Sequence, residues 1–106
     1  MDKREKQEWI LKYIRNSKFK HVDIFDEEFV NSYIENCNPK RVIMQAWGAY
    51  KVREIGRYLS EMYYSKILER GTIPLNYQGD GFPKWCYTYW ERGRDRVERD
   101  EGRNNI

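Results

Sequence analysis

Arg53 and Arg57 stand four residues apart in the stretch "VREIGRYLSEMYYSKILERG", a spacing that puts both guanidinium groups on one face of an α-helix, one turn apart. A guanidinium is a planar, permanently charged fork of donors that matches phosphate oxygens, carboxylates and the guanine edge. Tyr50, Lys51 and Ser60 add further hydrogen-bonding groups around them, and Lys40 and Arg41 bring two more cations upstream. Side chains of these types suit docking onto an anionic or hydrogen-bonding surface. Glu54 and Glu61 temper the positive field, and Glu61, four residues after Arg57, is spaced to pair with it on the helix surface.

Bond-making chemistry finds little support. His21 is the single histidine, and no cysteine stands near it in sequence to complete a ligand or acid–base pair. Asp23, Asp26, Glu27 and Glu28 cluster as metal ligands do, yet they also fall where a helix N-terminus takes a cap and negative charge. The run "GDGFP" has two glycines but lacks the strand-to-helix setting and the lysine of a phosphate loop, and reads as a hairpin turn. Cys37 and Cys86 are far apart with no second ligand beside either, so neither a zinc knuckle nor a secreted disulfide framework is expected. The expectation is a protein that is not an enzyme and that holds no cofactor and no metal.

The elements that must position the arginines follow from periodicity. A chain of 106 residues suits one domain with a modest core. Trp9, Ile10, Tyr13 and Ile14 recur at helical spacing, which predicts a first helix from Lys3 to about Ser17. Val22 and Ile24 alternate with Asp23 as in a short strand. Asp26 is then the expected N-cap of a second helix reaching about Asn36, with Phe29, Val30, Tyr33 and Ile34 as its apolar stripe. "NCNP" ends that helix, because Pro39 cannot continue it. "KRVIMQAWGAY" has no settled period and reads as a connection with some helical character, Gly48 marking a turn. In the third helix Val52, Ile55, Leu59, Met62 and Tyr63 face inward, and Gly56 at the stripe's edge would let another helix come close. Its outer face is centred on Arg57.

"SKILERG" is capable of β structure, "TIPLNYQGDGFP" reads as a loop, and "KWCYTYW" alternates Trp85, Tyr87 and Tyr89 against Lys84, Cys86 and Thr88 as a strand does. The two β-capable runs are expected to pair as a hairpin. Trp9, Trp47, Trp85 and Tyr87 are expected to fill the core, whereas Tyr64, Tyr77 and Trp90 are candidates for exposed contacts. Charge is segregated: residues 1–20 and 38–70 each carry seven basic against three acidic residues, while residues 21–37 carry five acids and no Lys or Arg. The segment 91–106, with five arginines against five acids, is expected to be a mobile polyampholyte outside the domain at 1–90. No apolar run is as long as a membrane span or signal h-region, so the expectation is a soluble, cytoplasmic chain without a membrane partner.

The order helix, short strand, helix, helix, strand, loop, strand resembles a winged helix-turn-helix domain over residues 3 to 90. The residues that carry the resemblance are "VREIGRYLSEMYYSKILERG", which looks like a recognition helix running into a wing, the return strand "KWCYTYW", and "VDI" ahead of the second helix. "WGAYKVREIGRYLSEMY" and "GFPKWCYTY" also look like small proteins encoded by bacteriophages and prophages. The resemblance implies an α+β fold of three helices, a short strand and a C-terminal β-hairpin wing. It implies double-stranded DNA as partner and a role in transcription or phage regulation, with Arg53 and Arg57 reading bases and Tyr50, Lys51, Ser60, Lys40 and Arg41 supporting them. From the wing, Asn76, Tyr77, Gln78 and Lys84 would touch backbone or minor groove. One departure is plain: Cys37 to Tyr50 is longer than the turn of a simple helix-turn-helix. A winged-helix adaptor for a host or phage protein, favoured by the acidic stretch from Asp23 to Glu35, stays open beside it. So does a homodimer paired through the first helix, whose Trp9 face the core also needs.

Overall fold

The computed structural model describes residues 1–46, 48–76 and 83–93. Its element order is α1 (Lys3–Asn16), β1 (His21–Asp23), α2 (Glu27–Cys37), β2 (Ile43–Met44), β3 (Tyr50–Lys51), α3 (Arg53–Tyr64), β4 (Leu68–Pro74) and β5 (Trp85–Glu91). This is an α+β domain with three helices, a three-stranded antiparallel sheet in the order β1–β5–β4, and a separate two-stranded β2–β3 hairpin. Trp47, Tyr77, Gln78 and the charged segment from residue 94 onward, which figure in the sequence expectations, lie outside the described residues.

Local signals explain the helix ends. Asp2 and Glu5 form a capping box on α1, with Asp2 Oδ1 accepting from the Glu5 amide at 2.9 Å and Glu5 Oε1 accepting from the Asp2 amide at 3.1 Å. Asp26 caps α2 by accepting from the Phe29 amide at 3.1 Å, and Asp23 accepts from the Phe25 amide at 2.8 Å. The acids ahead of α2 therefore organise backbone. α2 stops at Asn38, which takes a left-handed conformation (φ 47°) directly before Pro39.

The three apolar stripes meet the sheet in one core. Ile10 and Ile14 of α1, Phe29 and Tyr33 of α2, and Ile55, Leu59 and Met62 of α3 are buried together with Val22, Leu68 and Tyr89 of the sheet. Trp9 packs at the edge of this cluster, stacked on Tyr13 at 5.3 Å and edge-on to Tyr33 at 5.6 Å. In the sheet Val22 opposes Tyr89 and Leu68 opposes Glu91, and β4 and β5 stay in register through seven residue pairs. Arg70 on β4 lies between aromatic rings, its guanidinium carbon 4.0 Å from the centroids of both Tyr63 and Tyr87. It thereby fastens the end of α3 to the hairpin. Arg15 of α1 holds the far end of β5 through a fork to Glu91, the shortest N–O distance being 2.6 Å.

Four sequence expectations change. The described residues of the "KRVIMQAWGAY" segment include a β-hairpin and no helix, with the Gln45 amide donating to Ala49 O at 2.8 Å and Gly48 at φ 91° in the turn. β4 continues through Thr72, Ile73 and Pro74, which read as loop because Pro usually marks one; here it ends the strand. Gly56 admits no close helix: a Cβ there would meet only the Ile24 side chain, at 3.9 Å. Trp85 is not core, since 51% of it is exposed at the start of β5. Its pairing partner is Pro74, the last residue of β4.

A polar node ties the helices together. Lys6 Nζ of α1 donates to Glu54 Oε2 of α3 at 2.8 Å, and Tyr33 Oη of α2 donates to the same oxygen at 2.5 Å. Burial by itself would raise the Glu54 pKa, but the bonds from Lys6 and Tyr33 outweigh it and hold the carboxyl below its ordinary 4.5. Glu54→Ala strands the buried Lys6 ammonium and is expected to cost about 3 kcal/mol of unfolding free energy in a urea titration. Since the folded pKa lies below the unfolded one, the carboxylate's contribution is complete above 4.5 and is lost as pH falls through the folded value. Between neutral pH and about pH 3 the wild type should therefore lose more stability than Glu54→Gln.

Candidate functional site

The cations and acids of α3 part company around its axis. Arg53 and Arg57 are exposed, whereas Glu54 and Glu61, two turns apart and thus on one stripe, turn toward α1. Glu61 accepts from Gln7 at 3.1 Å and pairs with Lys3 at 3.0 Å, and the Lys3 bond lowers its pKa. The local i, i+4 pair of Arg57 with Glu61, expected from spacing alone, gives way to this longer-range partner. Among the described residues no ion pair engages Arg53 or Arg57, although Arg57 lies over the Tyr58 ring at 5.2 Å. Tyr58 itself is buried, wider of the apolar stripe than the spacing suggested.

The neighbouring candidates are distributed unevenly. Lys51 closes β3, Val52 is the N-cap position, and Arg53 opens the helix, so the hairpin delivers two cations to the start of α3. Tyr50, paired with Met44 in the hairpin, is 41% exposed, and Ser60 is half-buried. Lys40 and Arg41 are exposed on the stretch between α2 and β2; no bond among the described residues joins them to the α3 cations. Lys84 and Asn76 are exposed just beyond the Pro74–Trp85 end of the β4–β5 hairpin, where the Leu75 amide donates to Lys84 O at 2.8 Å. Tyr77 and Gln78 are the two candidates outside the described residues.

Between the β2–β3 hairpin, the first turn of α3 and the start of β5 lies an open groove of about 500 Å³. Lys51, Arg53, Trp85 and Pro83 line it together with Ile55 and Gly56. Trp85 is the residue of this surface that sequence reasoning sent into the core. Its place at the end of the alternating run, beside a Gly- and Pro-rich stretch, was the available signal that it need not be covered. No group of three or more His, Cys, Asp or Glu side chains among the described residues is placed to hold a metal ion. No helix among the described residues is long and apolar enough to cross a membrane.

Comparison with protein-family models, with curated proteins and with solved structures returns no match. The site therefore stands on its own geometry. Because Arg53 and Arg57 are exposed and take no part in the ion pairs that join α1 to α3, Arg53→Ala and Arg57→Ala should each leave the unfolding free energy within about 0.5 kcal/mol of wild type. The check is the urea midpoint of each variant; a large drop in either would assign that arginine to the scaffold.

Proposed function

We propose that the chain is a small winged-helix protein, a regulator of phage or prophage type, that docks on double-stranded DNA through α3 and the β4–β5 wing. The observation that carries this reading is the division of α3: its two arginines are exposed while both of its acids are held by lysines of α1. A face so divided offers guanidinium donors to a polyanion, while the two carboxylates, which still feel the Arg57 charge, are bonded to α1. Further support comes from the order of elements and from a sheet in which β1 pairs with β5 and β5 with β4, the arrangement a winged helix uses. In this reading Arg53 and Arg57 contact base edges, Lys51 and Ser60 contact phosphate, and Lys84 and Asn76 follow the backbone from the wing. The β2–β3 hairpin is an insertion between the two helices of the motif.

A second reading, an adaptor for another protein, is favoured by one specific feature. That hairpin exposes Ile43 and Met44 at 41 and 63%, next to Val42 at 38%, and exposed apolar residues grouped together suit a protein interface. α2 adds the exposed acids Glu27, Glu28 and Glu35.

The experiment is selection from a random-sequence duplex library at two salt concentrations, followed by titration of the enriched site. Affinity should fall with salt by about 0.9 in log K per phosphate neutralised, and Arg53→Ala and Arg57→Ala should each cost about 1–3 kcal/mol of binding. Unchanged affinity in both variants would remove α3 as the recognition element, and no binding at low salt would move the reading to the adaptor.

A further inference from the structure

The groove beside Arg53 has features that contact with a closed duplex does not use. Its volume of about 500 Å³ is that of a small-ligand pocket. None of its described lining residues is acidic, and two of them, Lys51 and Arg53, are cations. Trp85 forms a wall with 51% of its surface exposed, while a T-shaped contact with Tyr87, centroids 5.0 Å apart, holds the indole in place. Gly56 lines the groove without a side chain of its own, the Ile24 side chain lying 3.9 Å from where its Cβ would stand. An anchored, exposed indole next to cations matches one chemistry closely: the face of an aromatic ring that carries negative charge a few bonds away.

A nucleotide is such a ligand, and a paired base is not, since stacking within the duplex already covers its faces. We infer that the groove takes an unpaired nucleobase and its phosphate from a single-stranded stretch of DNA adjoining the duplex. Trp85 stacks on the base, Lys51 receives its phosphate, and the side-chain amide of Gln45, which also lines the groove, can bond the base. The strand source is favoured over a free nucleotide or an acidic peptide because Arg53 belongs both to the groove and to the exposed α3 face, so the two surfaces are continuous. For the adjoining duplex this rests on the reading above, whereas the groove itself is tested separately.

Fluorescence anisotropy would compare a blunt duplex, the same duplex with a short thymidine overhang, and the thymidine strand alone, against wild type, Trp85→Ala and Trp85→Phe. The overhang should tighten binding about tenfold. Trp85→Ala should abolish that gain and leave blunt-duplex affinity unchanged, and Trp85→Phe, which keeps a ring, should retain most of it. Equal affinity for blunt and overhanging duplex would overturn the inference and leave duplex binding standing. Loss in Trp85→Ala that is the same for both probes, or equal loss in Trp85→Phe, would overturn it too. Binding of the thymidine strand without any binding of the blunt duplex would uphold the groove and defeat the duplex reading instead. Thymidine monophosphate binding as tightly as the overhang would make this a free-nucleotide site, and Trp85-dependent affinity for an acidic tyrosine-bearing peptide alone would make it a protein site; either result overturns the strand.

Discussion

The Glu54 carboxylate fixes what the rest of α3 can present. It is held at one oxygen by Lys6 from α1 and Tyr33 from α2, at 2.8 and 2.5 Å, which ties the first turn of the helix to both. At 3.6 residues per turn, placing Glu54 toward α1 brings Glu61 to the same side and leaves Arg53 and Arg57 toward solvent. Half-buried charge of this kind adds little net stability over an apolar substitute, because desolvation offsets much of the attraction. Its effect here is on orientation: an apolar contact would tolerate a turn of the helix that three hydrogen-bonding groups on three elements do not.

Orientation is then carried to the sheet. Lys66 takes a left-handed conformation (φ 66°) just after α3, and the Ile67 amide donates back to Met62 O at 2.9 Å, so the chain reverses sharply into β4. Arg70, packed between Tyr63 and Tyr87 at 4.0 Å from each ring, locks that reversal from the strand side. The hairpin is thus joined to the C-terminal end of α3, while the groove opens at its N-terminal end. A ligand lying along the helix would meet Lys51 and Arg53 first and Arg57 one turn later.

Much of this was legible in the residues. The stripes of Ile10 and Ile14, of Phe29 and Tyr33, and of Ile55, Leu59 and Met62 repeat often enough for a helical period to stand out, and each is buried as its spacing required. The alternation of "KWCYTYW" likewise marked β5. The β2–β3 hairpin was not legible, because strands of two residues contain no period and its closing bonds depend on which residues come to face each other. The partners of Glu54 and Glu61 were hidden for a related reason. Spacing along one helix offered Arg57, but Lys6 and Gln7 lie 48 and 54 residues away in sequence and became neighbours only when α1 packed on α3.

Charge segregation in the chain survives folding in altered form, and the change matters more than the sum. Of the five acids between residues 21 and 37, Asp23 and Asp26 are spent on backbone amides at the start of α2, leaving Glu27, Glu28 and Glu35 exposed on that helix. The acids of α3 are spent on α1, leaving its arginines exposed. A net charge of +3 spread evenly would attract a polyanion weakly from every side. Divided this way, the exposed charge is basic on α3, at Arg53 and Arg57, and acidic on α2, at Glu27, Glu28 and Glu35. The lysines of α1 are therefore indirect contributors to that face: by pairing with Glu54 and Glu61 they alter the field around Arg53 and Arg57.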